Sequence, residues 1–191
     1  IMSDDADKGS TASDQIGIIG ELDNFLHSPT NIFVGSLWSG HYSAIAKCNQ
    51  ALKALETATV DEATKKRWIG EVRFLRGYYY FNLVRWYGGV PAVLRVPESA
   101  DDANKDDKFQ TRASVDDIYN IIIEDLNFAV ENTPLRNATQ KGRINKGTAQ
   151  AMLAKVYLYR KDWQKVFDLT SQVVASGQYN LLDKYEKIWR Y

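Results

Sequence analysis

The sequence predicts an all-α protein, on three observations. Apolar residues recur at three- and four-residue intervals over most of the chain. Helix-starting residues stand just before the periodic runs, and Gly or Pro stands just after them. Nowhere does an apolar/polar alternation of period two persist long enough to read as a strand. About five main helices separated by long polar loops follow from this pattern.

Residues 1–35 are polar and turn-rich, and read as a loop region ahead of a helical domain over 36–191. Asp4, Asp5 and Asp7 lack the later glutamate and spacing of a calcium-binding loop, so they read as a solvated acidic segment. The first helix is expected from about Gly35 to Thr57, with Leu37, Trp38, Tyr42, Ile45, Ala46, Asn49, Leu52 and Leu55 along one face. A second starts near Asp61, where Asp61 and Glu62 suit the N-terminal dipole. Its stripe is Trp68, Val72, Leu75, Tyr79, Leu83 and Trp86, with Phe74, Tyr78 and Phe81 on its other sides. Such a helix is usually covered by several neighbours. Gly88 is expected to supply a left-handed cap, and Pro91 forbids resumption.

Residues 92–113 form a polar excursion. Ser114 then reads as an N-cap with Asp117 as an acidic variant of the capping box. The helix it opens points Val115, Ile118, Ile121, Ile122, Leu126 and Val130 inward, and Asp116, Asp117, Glu124 and Asp125 mostly outward. It ends before Pro134. A basic loop leads to a helix capped by Asn145 that carries Ala149, Met152, Leu153, Val156 and Tyr157. The break "RKDW" turns the chain into a last helix from about Trp163 to Ser176, closed by Gly177.

Composition narrows the function. Twenty-four Lys and Arg balance twenty-four Asp and Glu, which argues against nucleic acid or an anionic membrane surface as partner. The lone Cys48 sits at helical spacing among apolar residues and reads as a small buried hydrophobe. His27 and His41 have no partners at ligand spacing, so neither a metal nor another cofactor is expected. No catalytic constellation is visible, and the protein is not expected to be an enzyme. No apolar run reaches the roughly 18–20 residues that span a bilayer. The abrupt start, Ile1-Met2-Ser3-Asp4, and the abrupt end make the chain read as a piece of a longer protein.

Two helices echo one another. Arg76-Gly77-x-x-Tyr80-Phe81 overlays Leu153-Ala154-x-x-Tyr157-Leu158, a small residue three positions before an aromatic. The second occurrence, with its tight turn and following helix, matches a tetratricopeptide unit. The small residue admits a neighbouring helix and the aromatic fills the groove beside it. Units of this kind bury their apolar faces only by stacking.

Four segments in register resemble the SusD/RagB family of outer-membrane nutrient-binding lipoproteins. "EVRFLRGYYYFNLVRWYGGVP" is similar to a family segment in which alanine is commoner at the place of Gly77. "RASVDDIYNIIIEDLNFAVENTP" resembles a second, and "GRINKGTAQAMLAKVYLYRKDWQKVFDLTSQVVASGQYNLL" a third. Upstream, "SDD" and "LWSGHYSAIAKCNQAL" are similar to a fourth. The resemblance implies an irregular tetratricopeptide-like right-handed helical repeat in a binding protein. It implies an oligosaccharide or peptide ligand, delivered to a SusC-like TonB-dependent transporter at the cell surface. It also implies membrane attachment through a lipidated cysteine absent from this chain, and a C-terminal half that packs on the helices. Residues 1–191 alone would then expose apolar helix surface and melt poorly. A competing reading is a tetratricopeptide adaptor that binds a protein partner, which more regular 34-residue units would favour.

The aromatic run of the second helix is expected to be core, with buried partners for its tyrosine hydroxyls. Glu71, Arg73 and Arg76 read as structural charges, and Glu71 with Asp125 is too unsupported to be an acid/base pair. Lys141, Arg143 and Lys146 would favour an anion at a helix N-terminus, but read first as a structural tie, with Gly142 and Gly147 serving the turn. Ligand contacts are expected instead from the N-terminal loop, at Asn24, Phe25, Asn31, Phe33 and Trp38.

Overall fold

The computed structural model of the protein describes residues 9, 11, 13, 14 and 16–189, so Asp4, Asp5 and Asp7 lie outside the described residues. The chain divides into two units, Ile1–Ala44 and Ile45–Tyr191. Among the described residues the secondary structure is entirely helical.

In the first unit a π-helical turn, Ile16–Gly20, runs into the short helix α1, Glu21–Asp23. Helix α2 follows over Ile32–Glu56. It begins three residues before the periodicity places it, because Asn31 starts it: the Asn31 Oδ1 accepts from the Phe33 N–H at 3.0 Å.

The second unit is built on α3, Glu62–Tyr87, and α6, Val115–Asn132, which pack side by side. Asp61 caps α3 by accepting from the Thr64 N–H at 2.9 Å, and Ser114 caps α6 by accepting from the Asp117 N–H at 3.1 Å. The Ser114 hydroxyl also donates to Asp117 Oδ2 at 2.6 Å, so Asp117 meets the side chain of the cap, whereas in a capping box it would accept from the backbone N–H of that residue. Gly88 ends α3 at φ 70°, ψ −135°. The positive φ is as expected, but this ψ lies outside the left-handed helical region.

The face that α3 buries differs from the expected stripe. Phe74, Gly77, Tyr80, Phe81, Leu83 and Val84 are buried, so Leu83 of the expected stripe is inward, whereas Leu75 and Trp86 of that stripe are exposed. Gly77 lies against α6: an added Cβ would stand 3.4 Å from Leu126 Cγ and 3.5 Å from Asp125 Cβ. The small residue of the echo therefore marks the contact face, and the aromatics three and four residues on fill it. Phe81 meets the Tyr119 and Tyr159 rings edge-on at 6.4 and 5.2 Å, and the Arg85 guanidinium lies 4.5 Å from the Phe81 ring centre.

Asp125, expected outward, is 1% exposed. The reason is two arginines on α3. Arg76 donates from Nε to Asp125 Oδ2 and from a terminal nitrogen to Oδ1, both at 2.8 Å, and Arg73 Nε donates to Oδ1 at 2.6 Å. Arg73 also reaches Glu124 at 2.7 Å, so two cations meet two anions. Burial pulls the Arg76 guanidinium down, and the hydrogen bonds and charge of Asp125 more than restore it.

The same network holds the excursion after α3. Arg76 donates to Asn49 Oδ1 at 3.0 Å and to the Leu94 carbonyl at 3.3 Å. The Asn49 amide donates to the Val93 and Arg95 carbonyls, and the Tyr80 hydroxyl to Val93 at 2.9 Å. Cys48 is buried nearby, and burial pushes its thiol up to about 11. Two short helices interrupt the expected loop, α4 over Ala100–Lys105 and α5 over Asp107–Gln110. Arg95 ties them by pairing with Asp102 and Asp106.

Helix α7, Lys146–Tyr159, packs on α6, and α8, Trp163–Ala175, pairs with α7. Asn145 caps α7 as expected, accepting from the Thr148 N–H at 3.0 Å. Ala149, Leu153, Val156 and Tyr157 are buried. Gly147 has a different task from the expected turn: it lies inside α7, and an added Cβ would stand 2.5–2.8 Å from the Tyr179 ring. Tyr179 uses that space to donate to Asn145 Oδ1 at 2.6 Å. Gly177, at φ 64°, follows the end of α8. Helix α8 buries none of its residues fully; Trp163, Phe167 and Val174 are 61%, 66% and 77% exposed.

Candidate functional site

The segment 16–38, which runs from the π-helical turn into the start of α2, holds all five residues that the sequence nominates, and they lie in the first unit. Turn chemistry shapes it. The Asn24 side chain donates back to the Gly20 carbonyl at 2.9 Å, and Phe25 takes a positive φ of 57° where the chain reverses. A φ of this sign is strained for an aromatic residue. Phe25 is 59% exposed, beside Leu26 at 77%.

Asn31 sits differently. It is buried, and its amide donates to the Ile18 carbonyl and to Glu21 Oε2, each at 2.9 Å. With its Oδ1 capping α2, the whole side chain is engaged in joining the π-helical turn to the next helix. Phe33 and Ile32, on the first turn of α2, are exposed. Trp38 is half-buried, and its ring lies 4.9 Å from that of Tyr42.

An open cleft of about 220 Å³ lies beside the loop, lined by Ile18, Glu21, Ser28, Thr30, Asn31 and Ile32 among others. Of the nominated residues only Asn31 lines it. Asn24, Phe25, Phe33 and Trp38 stand elsewhere. The Ser28 and Thr30 hydroxyls lie 2.8 Å apart at its edge and were not singled out in the sequence. The turn run "HSPT" is the signal that would have found them. The cleft thus offers two hydroxyls and one carboxylate, and the exposed phenyl rings of Phe25 and Phe33 lie outside its lining. Among the described residues no three His, Cys, Asp or Glu side chains group as a metal site, and no helix is long and apolar enough to cross a membrane.

The charged residues have structural partners. Arg143 forms a fork onto Glu71, which bears out the tie expected of the basic loop. Asp125 is enclosed by Arg73 and Arg76.

Residues 11–158 match the family model SusD-like_3, described as starch-binding and associating with the outer membrane. A SusD-like protein from Bacteroides ovatus is 32% identical over 170 residues, covering 81% of this chain and 30% of that protein. A solved laminarin-binding SusD-like protein superimposes with a TM-score of 0.83 at 33% identity, covering 95% of this chain and 39% of that one. A structure determined with xylogluco-oligosaccharide superimposes with a TM-score of 0.75 at 28% identity, covering 90% and 35%. The chain thus spans about a third of the length of the curated relatives it matches. The match over residues 11–158 and the relative at 32% identity show that the chain belongs to the SusD-like family.

Proposed function

We propose that this chain is the helical part of a cell-surface protein that binds glycan and delivers oligosaccharides to a SusC-like TonB-dependent transporter of the outer membrane. In this reading a lipid anchor holds the protein at the surface, and binding rather than catalysis is its role. The match over residues 11–158 carries the proposal, supported by similar structures whose names record laminarin and xylogluco-oligosaccharide. On this chain the ligand contacts are assigned to the segment carrying Asn24, Phe25, Asn31, Phe33 and Trp38, with Asn31 acting through the turn that it holds rather than as a free amide. Phe25 and Phe33 supply the exposed rings and the cleft beside Asn31 the polar groups.

The test is affinity electrophoresis of the full-length protein through gels containing laminarin, xyloglucan or starch, with peptide pools titrated in parallel. Retardation by at least one glycan is expected, reduced severalfold by Phe25→Ala with Phe33→Ala. Peptide binding with no glycan retardation would overturn the glycan assignment.

A further inference from the structure

The C-terminal ends of α3 and α7 and the first turns of α6 bring together rings and cations in the second unit. Phe81 is the base of the cluster, with the Tyr119 and Tyr159 rings against it. The Arg85 guanidinium lies 4.5 Å from the Phe81 ring centre and 5.6 Å from that of Tyr159. The Arg160 guanidinium lies 4.9 Å from the Tyr119 ring centre.

Two groups in this cluster are left open. Arg85 is half-buried, and donates from Nε to the Phe81 carbonyl at 3.3 Å and from one terminal nitrogen to Asn82 Oδ1 at 2.5 Å. Both acceptors are neutral, and among the described residues no carboxylate pairs with it and its other terminal nitrogen has no acceptor. Tyr119 is 7% exposed, yet its hydroxyl keeps access to the surface and has no hydrogen-bond partner among the described residues. Burial pushes that hydroxyl up, against the pull of Arg160 and Arg85, so it keeps its proton and is a donor. The neighbouring carboxylates are taken: Asp116 pairs with Arg160 at 2.7 Å and Asp162 with Lys165 at 3.1 Å.

A charged donor and a neutral donor without acceptors match an anionic acceptor, and a planar carboxylate suits a guanidinium in charge and geometry. The surroundings favour protein as its carrier. Tyr159 is 49% exposed, and Val115, one turn before Tyr119 on α6, is 41% exposed. Arginine and tyrosine are the residue types that anchor protein interfaces, whereas a sugar would call for free amides and hydroxyls around the charge. We infer that this end of the helices docks an acidic protein segment, one carboxylate of which is held by Arg85 and the Tyr119 hydroxyl. Arg160 stands beside them, half-neutralised by Asp116. The inference is independent of the glycan-binding reading.

The experiment measures fluorescence anisotropy of labelled hexaglutamate, hexaglutamine and tetragalacturonate with the full-length protein. Hexaglutamate should bind at least about tenfold more tightly than the other two probes. Arg85→Gln should weaken it about tenfold and Tyr119→Phe severalfold, whereas Asp116→Asn should tighten it severalfold by releasing Arg160. Tyr119→Phe keeps the ring that Phe81 and Arg160 contact, and an unchanged thermal midpoint shows that it is folded. Hexaglutamate binding unchanged in both Arg85→Gln and Tyr119→Phe overturns the inference, as does binding no tighter than that of hexaglutamine or no binding at all. Tetragalacturonate binding equal to that of hexaglutamate overturns the protein segment and gives the site to an acidic glycan. Retardation of the same protein by neutral glycans reports separately on the glycan reading.

Discussion

The seam between α3 and α6 and the hairpin of α7 and α8 solve the same packing problem in opposite ways. The seam buries charge: Asp125 is 1% exposed, and three hydrogen bonds from Arg73 and Arg76 enclose it. The hairpin has one buried partner only, since α7 is largely covered while α8 leaves Phe167 and Val174 mostly in water. A buried ion pair adds little net stability over an apolar pair, but losing one member leaves an uncompensated charge. The seam is therefore intolerant of partial change, and the outer face of α8 is tolerant of it.

Breaking the seam gives the largest expected effect. Asp125→Ala strands the buried Arg76 guanidinium and leaves Arg73 with Glu124 alone, and should cost about 3–5 kcal/mol, read as a lower urea midpoint. A loss under about 1 kcal/mol would remove the contrast. Gly147→Ala comes next. Its methyl meets the Tyr179 ring and displaces the hydroxyl from Asn145. The expected cost is about 1–3 kcal/mol, and Tyr179→Ala in the same chain should relieve the clash.

Gly77→Ala should work in the other direction. The added Cβ finds ordinary contact distances of 3.4–3.5 Å, and a helix-interior Gly costs about 0.8–1 kcal/mol relative to Ala. A raised thermal midpoint is expected, and a lowered one would show the seam tighter than its geometry. Smallest of all, Phe167→Ser should move the stability of residues 1–191 by no more than about 0.5 kcal/mol. A cost above about 2 kcal/mol for the same change in the full-length protein would show α8 covered there.

Most of this was legible in local chemistry. Asp61, Ser114 and Asn145 cap as their positions demand, because a cap depends on residues within one turn. The face of α3 was less legible. A helix apolar around most of its circumference gives periodicity nothing to choose between, so Leu75 and Trp86, inward by spacing, are exposed. Gly77 was the better guide, since close approach of backbones is what a small residue permits.

Asp125 was hidden for another reason. Its burial depends on Arg73 and Arg76, about fifty residues away, and no local pattern reports such a pairing. Similarly, Asn31 reads as a loop amide free for a ligand until Ile18 and Glu21 are brought to it. The exposed rings of Phe25 and Phe33 were legible as residues, whereas the cleft of Ser28 and Thr30 depends on the path of the turn.

The grip of Asn49, Arg76 and Tyr80 on residues 93–95 falls on carbonyl oxygens alone. Every amino acid carries that oxygen, so the hold does not depend on which side chains stand at these positions. A tether of this kind separates the path of a loop from its spelling. Val93 and Leu94 can be exchanged while the backbone stays anchored to the same three side chains; Arg95 is the exception, since its own side chain pairs with Asp102 and Asp106.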